Sequence, residues 1–173
     1  MRMIADTGLG FLSFDNSYIV FRDTNNCWKS RYFNYKIHNV ENPLNSKIYV
    51  IFNRKLDLLS KEINLYLTEG IIDTIAISLI HFPDIIKRKD SIIAAANGKG
   101  FLKVIREIRK LGFLDIKLNI FSDSEIKMNF YRHIFSMDPI FKNFSNKIEI
   151  FYNDKAEDFG VPKEKVSIRK ALL

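Results

Sequence analysis

The spacing of hydrophobic and polar positions changes near residue 60. Before this point, aromatic and β-branched residues recur with partial alternation in three short runs, at 18–23, 30–37 and 47–52. Turn-rich segments separate these runs, which is typical of an antiparallel β meander. The pattern therefore predicts a small β-rich N-terminal lobe over residues 1–60.

From about Glu62 onward, short apolar runs alternate with segments of helical spacing. Strands are predicted at 63–68, 90–96, 116–122 and 147–153, and helices at 70–80, 101–112 and 126–137. Strands that alternate with helices imply parallel β-α-β units with right-handed crossovers. We therefore predict an α/β domain over residues 61–173, with a mainly parallel four-stranded sheet and a short helix at the end of 161–173.

The composition excludes several classes of protein. Of 173 residues, 47% are hydrophobic and 27% charged, with seven glycines and four prolines, which is a globular and not a collagen-like composition. The single cysteine, Cys27, excludes a disulfide scaffold and a multi-cysteine zinc site. No apolar run approaches the ~18 residues that span a bilayer, and the N-terminus lacks the apolar core of a signal peptide. We expect a soluble cytoplasmic protein with no membrane partner.

The charge balance favours a polyanionic partner. The chain has 27 Lys and Arg against 20 Asp and Glu, a net charge of +7 at pH 7. Residues 81–110 are especially basic, and within their predicted helix Lys103 and Arg106 are candidate nucleic-acid-binding residues. The alternative is that this stretch is the solvated side of a helix.

Carboxylates follow three of the four predicted strands of the second domain. They are Glu69 and Asp73 after the first strand, Asp123 and Glu125 after the third, and Asp154 and Asp158 after the fourth. In an open parallel sheet, ligands bind beyond the carboxyl ends of the strands. Oxygen ligands at one edge suit Mg²⁺ or Mn²⁺, which stabilise the attacking and leaving oxygens in phosphoryl transfer. All six acids are therefore candidate metal ligands.

A glycine-rich turn follows the remaining strand. It consists of Asn97, Gly98, Lys99 and Gly100, directly before a predicted helix. Backbone N–H groups at such a helix start, beside a lysine, are suited to bind phosphate. The spacing is not that of a Walker A loop.

Each of these features has a simpler alternative. Asp123 and Glu125 are suitable caps for the helix that follows them. The turn at 97–100 could serve only as a connection, and 154–158 could be a solvated loop. What favours a shared site is that all four sets follow successive strands in order.

Three segments together resemble the Toprim domain of DnaG-type primases, topoisomerases and several nucleases. They are LYLTEGIIDTIAI (65–77), AAANGKG (94–100) and NIFSDSE (119–125), within a resemblance that covers roughly residues 62–158. It implies a Rossmann-like sheet with a divalent-metal site and catalytic roles for Glu69, Asp123 and Glu125. Glu69 matches the Toprim glutamate and Asp123 the first acid of the paired motif. Glu125 stands where the family usually has Asp.

The segment FRDTNNCWKSRYFNYKI (21–37) resembles the basic lobe that precedes Toprim in bacterial and phage primases. Arg22, Arg31 and Lys36 match residues that face template and nucleotide there, although Arg22 and Arg31 are equally suited to a β-lobe surface. The resemblance implies a truncated primase catalytic core, a DNA-directed RNA polymerase that makes short primers for DNA replication. Its implied partners are single-stranded DNA, nucleoside triphosphates and a replicative helicase, in the host cytoplasm for a phage-encoded chain.

Two other functions remain open at this point. A metal-dependent Toprim nuclease would use the same acids to hydrolyse a phosphodiester. A non-catalytic accessory of replication would bind nucleic acid with the same basic surface and no turnover.

Overall fold

The computed structural model describes residues 10–12, 18–22, 28–32, 38–40, 49–52, 57, 59, 62–96, 100–110, 112–113, 115–137 and 148–173. The chain divides into two compact units, Met1–Ile51 and Phe52–Leu173. The change of sequence pattern indicates a boundary near residue 60, and the boundary between the two units lies about nine residues before it. Among the described residues, no helix is long and apolar enough to cross a membrane.

The first unit contains a four-stranded antiparallel sheet. Its strands are β1 (Gly10–Leu12), β2 (Tyr18–Arg22), β3 (Trp28–Tyr32) and β4 (His38–Val40), in the order β1-β2-β3-β4. A further strand, β5 (Tyr49–Phe52), crosses the boundary between the units. The sequence pattern predicts neither β1 nor β4, because three residues are too few to show a period of two.

The second unit is built on a sheet whose strand order is β10-β9-β8-β6-β7. The strands are β6 (Glu62–Thr68), β7 (Ser91–Ala95), β8 (Asp115–Ser122), β9 (Ile148–Asn153) and β10 (Ile168–Leu172). β6 to β9 are mutually parallel, and β10 is antiparallel to β9. The predicted α/β class with a mainly parallel four-stranded sheet is confirmed, with one antiparallel strand added.

The helices connect the parallel strands. They are α1 (Ile71–Ala76), which continues as a π-helical turn over Ile77–His81, α2 (Phe101–Lys110) and α3 (Met128–Met137). Alternate strand residues such as Leu65 and Leu118 are at most 1% exposed. On α2, Phe101 and Val104 are at most 1% exposed, as the helical spacing predicts.

The prediction of a short helix at the end of 161–173 is wrong. Only Lys163–Lys165 forms a short 3₁₀ turn, and the chain then pairs along β9 from Ile168 opposite Asn153 to Leu172 opposite Glu149. The helix-forming tendency of the last residues is overridden because β9 offers an edge with free ladder positions. Arg169 adds to this pairing by stacking over the Tyr152 ring at 4.7 Å.

The strand order places a topological switch point between β6 and β8. The chain leaves β6 for β7 on one side and then crosses back to β8 on the other side. Adjacent parallel strands with connections that depart in opposite directions leave a crevice at their carboxyl ends, where α/β sheets bind ligands. Glu69 follows β6 and Asp123 follows β8, so both residues lie at this crevice.

A buried asparagine at the end of β9 organises the loop that follows. The Asn153 side-chain nitrogen donates to the Asp158 and Lys165 carbonyls, at 2.8 and 3.0 Å. Its side-chain oxygen accepts the N–H groups of Lys155 and Ser167, at 3.1 and 3.0 Å. One side chain therefore ties the 154–160 loop to the approach of β10.

Asn153→Ala is expected to lower the free energy of unfolding by about 3 kcal/mol, because it leaves several backbone groups without their partner. Urea unfolding followed by circular dichroism measures the change. Ser136→Ala is the control, since Ser136 is exposed and donates only to the His133 carbonyl. A loss for Asn153→Ala no larger than for Ser136→Ala would contradict the assigned role.

Candidate functional site

Two buried threonines fix the turn that carries Glu69. Thr68, the last residue of β6, and Thr74 on α1 are both 0% exposed, and their hydroxyl oxygens lie 2.6 Å apart. Each hydroxyl also lies within hydrogen-bond distance of the Gly70 carbonyl, at 2.9 and 3.0 Å. The backbone on both sides of Glu69 is therefore held by the strand end and by the first turn of the helix.

Asp73 joins the start of α1 to the 154–160 loop. Its Oδ2 accepts the Gly70 N–H at 3.1 Å, as the third residue of a helix does in a capping box. Burial and the nearby charge of Asp158 raise the pKa of Asp73 to about 6, while backbone N–H groups of Gly70, Gly160 and Phe159 act in the opposite sense. A Cβ at Gly160 would lie 3.2 Å from Asp73 Oδ1, so glycine permits this close approach.

Asp123 begins the turn between β8 and α3. Its carbonyl accepts hydrogen bonds from the Ile126 N–H at 3.1 Å and from the Ser122 hydroxyl at 3.0 Å. Ser122 is the last residue of β8 and is 0% exposed. The residue before Asp123 is thus a buried hydroxyl, as is the residue before Glu69.

The side chains of Glu69 and Asp123 meet. Burial, followed by the charges of Glu69 and Asp73 and a hydrogen bond with the Glu69 side chain, raises the pKa of Asp123 to about 8. Two carboxyl groups can form such a bond only while they share a proton. Glu69 Oε2 is buried and has no hydrogen-bond partner in the described part of the chain.

This donor set fits a divalent cation that has few protein ligands. Within the residues that the structure describes, no three His, Cys, Asp or Glu side chains are already arranged to hold a metal ion. Mg²⁺, however, is commonly bound through one or two carboxylates and completes its shell with water and substrate phosphates. A contacting carboxyl pair with one buried, unpartnered oxygen supplies the protein part of such a site.

The remaining predicted metal ligands are placed differently. Asp158 belongs to the cluster, because its charge acts on both Asp73 and Asp123. Asp154 is exposed and pairs with Arg169 at 2.9 Å. Glu125 is exposed in the turn two residues beyond Asp123. The structure therefore brings Glu69, Asp73, Asp123 and Asp158 together, and leaves Asp154 and Glu125 at the surface.

The predicted phosphate-binding turn is described only at Gly100, and Asn97, Gly98 and Lys99 lie outside the described residues. A Cβ at Gly100 would lie 2.7 Å from the Ala96 carbonyl oxygen. Gly100 therefore lets the first turn of α2 close against the end of β7.

The predicted nucleic-acid-binding residues lie in both units. Lys103 and Arg106 are exposed on α2. Arg22 ends β2 opposite Trp28, and Arg31 on β3 is opposite Ile19. Lys36 lies outside the described residues.

Sequence reasoning missed the hydroxyl residues that support the two acids. Thr68 and Ser122 are the final residues of β6 and β8, and both are fully buried in strands whose other buried side chains are apolar except for Asn119. A polar residue at the last buried position of a strand, directly before an acid, is the signal that could have identified them.

The chain matches no protein-family model and no curated protein. Among solved structures it is similar to the RNA polymerase domain of Mycobacterium tuberculosis primase DnaG, in complex with double-stranded DNA. The identity is 12% and the TM-score 0.47, and the match covers 92% of this chain and 54% of that chain. The chain thus spans about half the length of that structure, and at this identity and TM-score the match carries no conclusion about its chemistry.

Asp123→Asn is expected to raise the free energy of unfolding in EDTA by about 1 kcal/mol, because it removes a carboxyl group whose ionisation Glu69 opposes. The pKa of Asp123 is raised to about 8 in the folded state, above its ordinary value of 3.8. The folded chain therefore keeps this proton up to about pH 8, whereas the unfolded chain releases it at the ordinary pKa, so the wild type loses stability progressively as pH rises from 4 to 8. The gain from the substitution should grow over the same range in urea titrations.

Asp154→Asn is the matched control, because Asp154 is an exposed acid in an ion pair. It should show no gain that grows between pH 4 and pH 8. The assigned repulsion is wrong if Asp123→Asn is equally stable relative to wild type at both ends of this range.

Asp73→Ala is expected to lower the free energy of unfolding by about 1 kcal/mol, because the Gly70 N–H loses its cap. Asp73→Asn should lose much less, since the amide oxygen still accepts that hydrogen bond. Thermal unfolding of both variants in EDTA measures the difference. Equal losses for the two variants would show that the capping bond does not stabilise α1.

Proposed function

We propose that this chain is a metal-dependent nucleotidyltransferase of the primase type, which joins ribonucleotides on a single-stranded DNA template. The observation that carries the proposal is the contact of Glu69 with Asp123 at the switch point between β6 and β8. Two acids from adjacent strands, buried enough to share a proton, are an unfavourable arrangement without a cation. Toprim-like segments occur in primases and nucleases alike, and it is the resemblance of segment 21–37 to the basic lobe of primases that favours primer synthesis.

Glu69 and Asp123 would hold Mg²⁺ or Mn²⁺. When bound, the ion would supply charge stabilisation for the attacking and leaving oxygens of phosphoryl transfer. The proton that the pair shares must leave before both carboxylates can bind a cation. Asp73 and Asp158 add negative charge at the same edge and so favour a cation there.

The chain's own residues do the positioning. Thr68 and Thr74 hold the turn that carries Glu69, and Ile126 and Ser122 hold the turn that carries Asp123. Phosphoryl transfer requires mainly alignment and charge stabilisation, so fixed carboxylate positions are what the protein must supply.

A basic surface supports a nucleic-acid substrate. The net charge of +7 and the exposed Lys103 and Arg106 on α2 favour binding to a phosphate backbone. We extend the proposal to Arg22, Arg31 and Lys36 as template contacts, and to the turn at 97–100 as a triphosphate contact. A replicative helicase as partner and a cytoplasmic location complete it.

The test is a reaction of the chain with single-stranded DNA, labelled ribonucleotides and Mg²⁺ or Mn²⁺. Short labelled RNA is expected, and Asp123→Asn and Glu69→Gln should each reduce its formation by about a hundredfold or more. Asp154→Asn is the matched control and should retain the wild-type rate, because its carboxylate pairs with Arg169 away from the cluster.

Two results would overturn the primase proposal, and a third would overturn the metal role of Asp123. Cleavage of DNA or RNA without nucleotides would identify a nuclease that uses the same acids. Salt-sensitive binding that Glu69→Gln leaves unchanged, with no turnover under either metal, would identify a non-catalytic accessory. Product that persists in Asp123→Asn would exclude the assigned metal role.

A further inference from the structure

A buried tyrosine on α3 is connected to the backbone of Asp123. The Tyr131 hydroxyl donates to Ser122 Oγ at 2.7 Å, and Ser122 Oγ donates to the Asp123 carbonyl at 3.0 Å. Tyr131 and Ser122 are both 0% exposed. Each hydroxyl has one proton to donate, and in this series of hydrogen bonds Tyr131 donates to Ser122 and Ser122 donates to Asp123. The two bonds are therefore compatible, and the series ends at the backbone of the acid.

Aromatic packing fixes the ring of Tyr131. Phe101 on α2 meets it edge-on with ring centroids 5.8 Å apart, and Phe135 stacks on it at 6.4 Å. Phe130 makes a further edge contact at 5.4 Å. A ring held on several sides can move its hydroxyl little, so that oxygen is a fixed reference point for Ser122.

Asp123 needs such an anchor because it lies beyond the strand ladder. The parallel pairing of β8 with β9 ends at Ser122 opposite Tyr152. The described hydrogen bonds to the Asp123 carbonyl come from Ile126 and Ser122.

We propose that Tyr131 is a positioning residue, which acts through Ser122 to hold Asp123 beside Glu69 at the separation that a shared divalent cation needs. This inference rests on the proposed function and adds to it a residue outside the acidic cluster. Groups that orient metal ligands from behind affect metal affinity without touching the metal.

The test is Mn²⁺ affinity, measured by calorimetry and by the electron paramagnetic resonance signal of free Mn²⁺. Tyr131→Phe keeps the ring and removes the hydroxyl, and it should weaken Mn²⁺ binding about tenfold. Ser122→Ala should weaken it by a similar factor. The double variant should be no weaker than either single variant, because both changes break the same chain of hydrogen bonds.

Two control variants separate positioning from general stability. Tyr66→Phe removes a hydroxyl from the opposite sheet face, since Tyr66 stacks on Phe121 and Phe121 points away from its neighbour Ser122. Val104→Ala opens a cavity at a fully buried position of α2. Val104→Ala should lower Tm in EDTA, and both controls should bind Mn²⁺ as the wild type does.

The outcomes are distinguishable. If Asp123→Asn abolishes Mn²⁺ binding but Tyr131→Phe binds like Tyr66→Phe, the positioning role is wrong while the metal site stands. If affinity merely follows Tm across all variants, including Val104→Ala, the role of Tyr131 is structural. If Asp123→Asn leaves Mn²⁺ binding unchanged, the metal site and the positioning role fail together.

Discussion

The close contact of Glu69 with Asp123 is the constraint on which the rest of the second unit depends. Two carboxyl groups in a partly buried crevice oppose each other once both are ionised, and Asp73 and Asp158 add to that opposition. Such an arrangement persists only if the surrounding structure holds it. The buried Thr68 at the end of β6, the buried Thr74 on α1 and the buried Ser122 at the end of β8 are placed to do so.

Topology explains why the two acids meet although 53 positions separate them in the sequence. β6 and β8 are parallel neighbours, paired from Glu62 opposite Asp115 to Thr68 opposite Phe121. Their carboxyl ends therefore coincide, and the residues that follow leave the sheet at the same edge. The buried apolar side chains of these strands fix the register of the pairing. A slip of one residue would turn them from the core to the other face of the sheet.

The sequence pattern was sufficient to predict those elements in which hydrophobic residues recur with a clear helical or strand spacing. It predicts the four parallel strands, the buried face of α2, and acids at 69 and 123 at strand ends. It did not predict β10, because the pairing of an edge strand depends on a neighbour that is distant in sequence. It also could not separate Asp158, which joins the cluster, from Asp154, since that difference depends on how Asn153 folds the loop.

The chemistry of the supporting groups bears on what the site can bind. Besides Asp73, which is itself an acid, the side chains that hold the two acid-bearing turns are neutral hydroxyls, which fix a backbone position without neutralising a carboxylate. The charges that act on Asp123 from Glu69, Asp73 and Asp158 are all negative. A lysine or arginine in place of Thr68 or Ser122 would pair with the acids and relieve their repulsion. With neutral supports, these hydroxyl side chains do not offset the negative charge of the acids at the crevice.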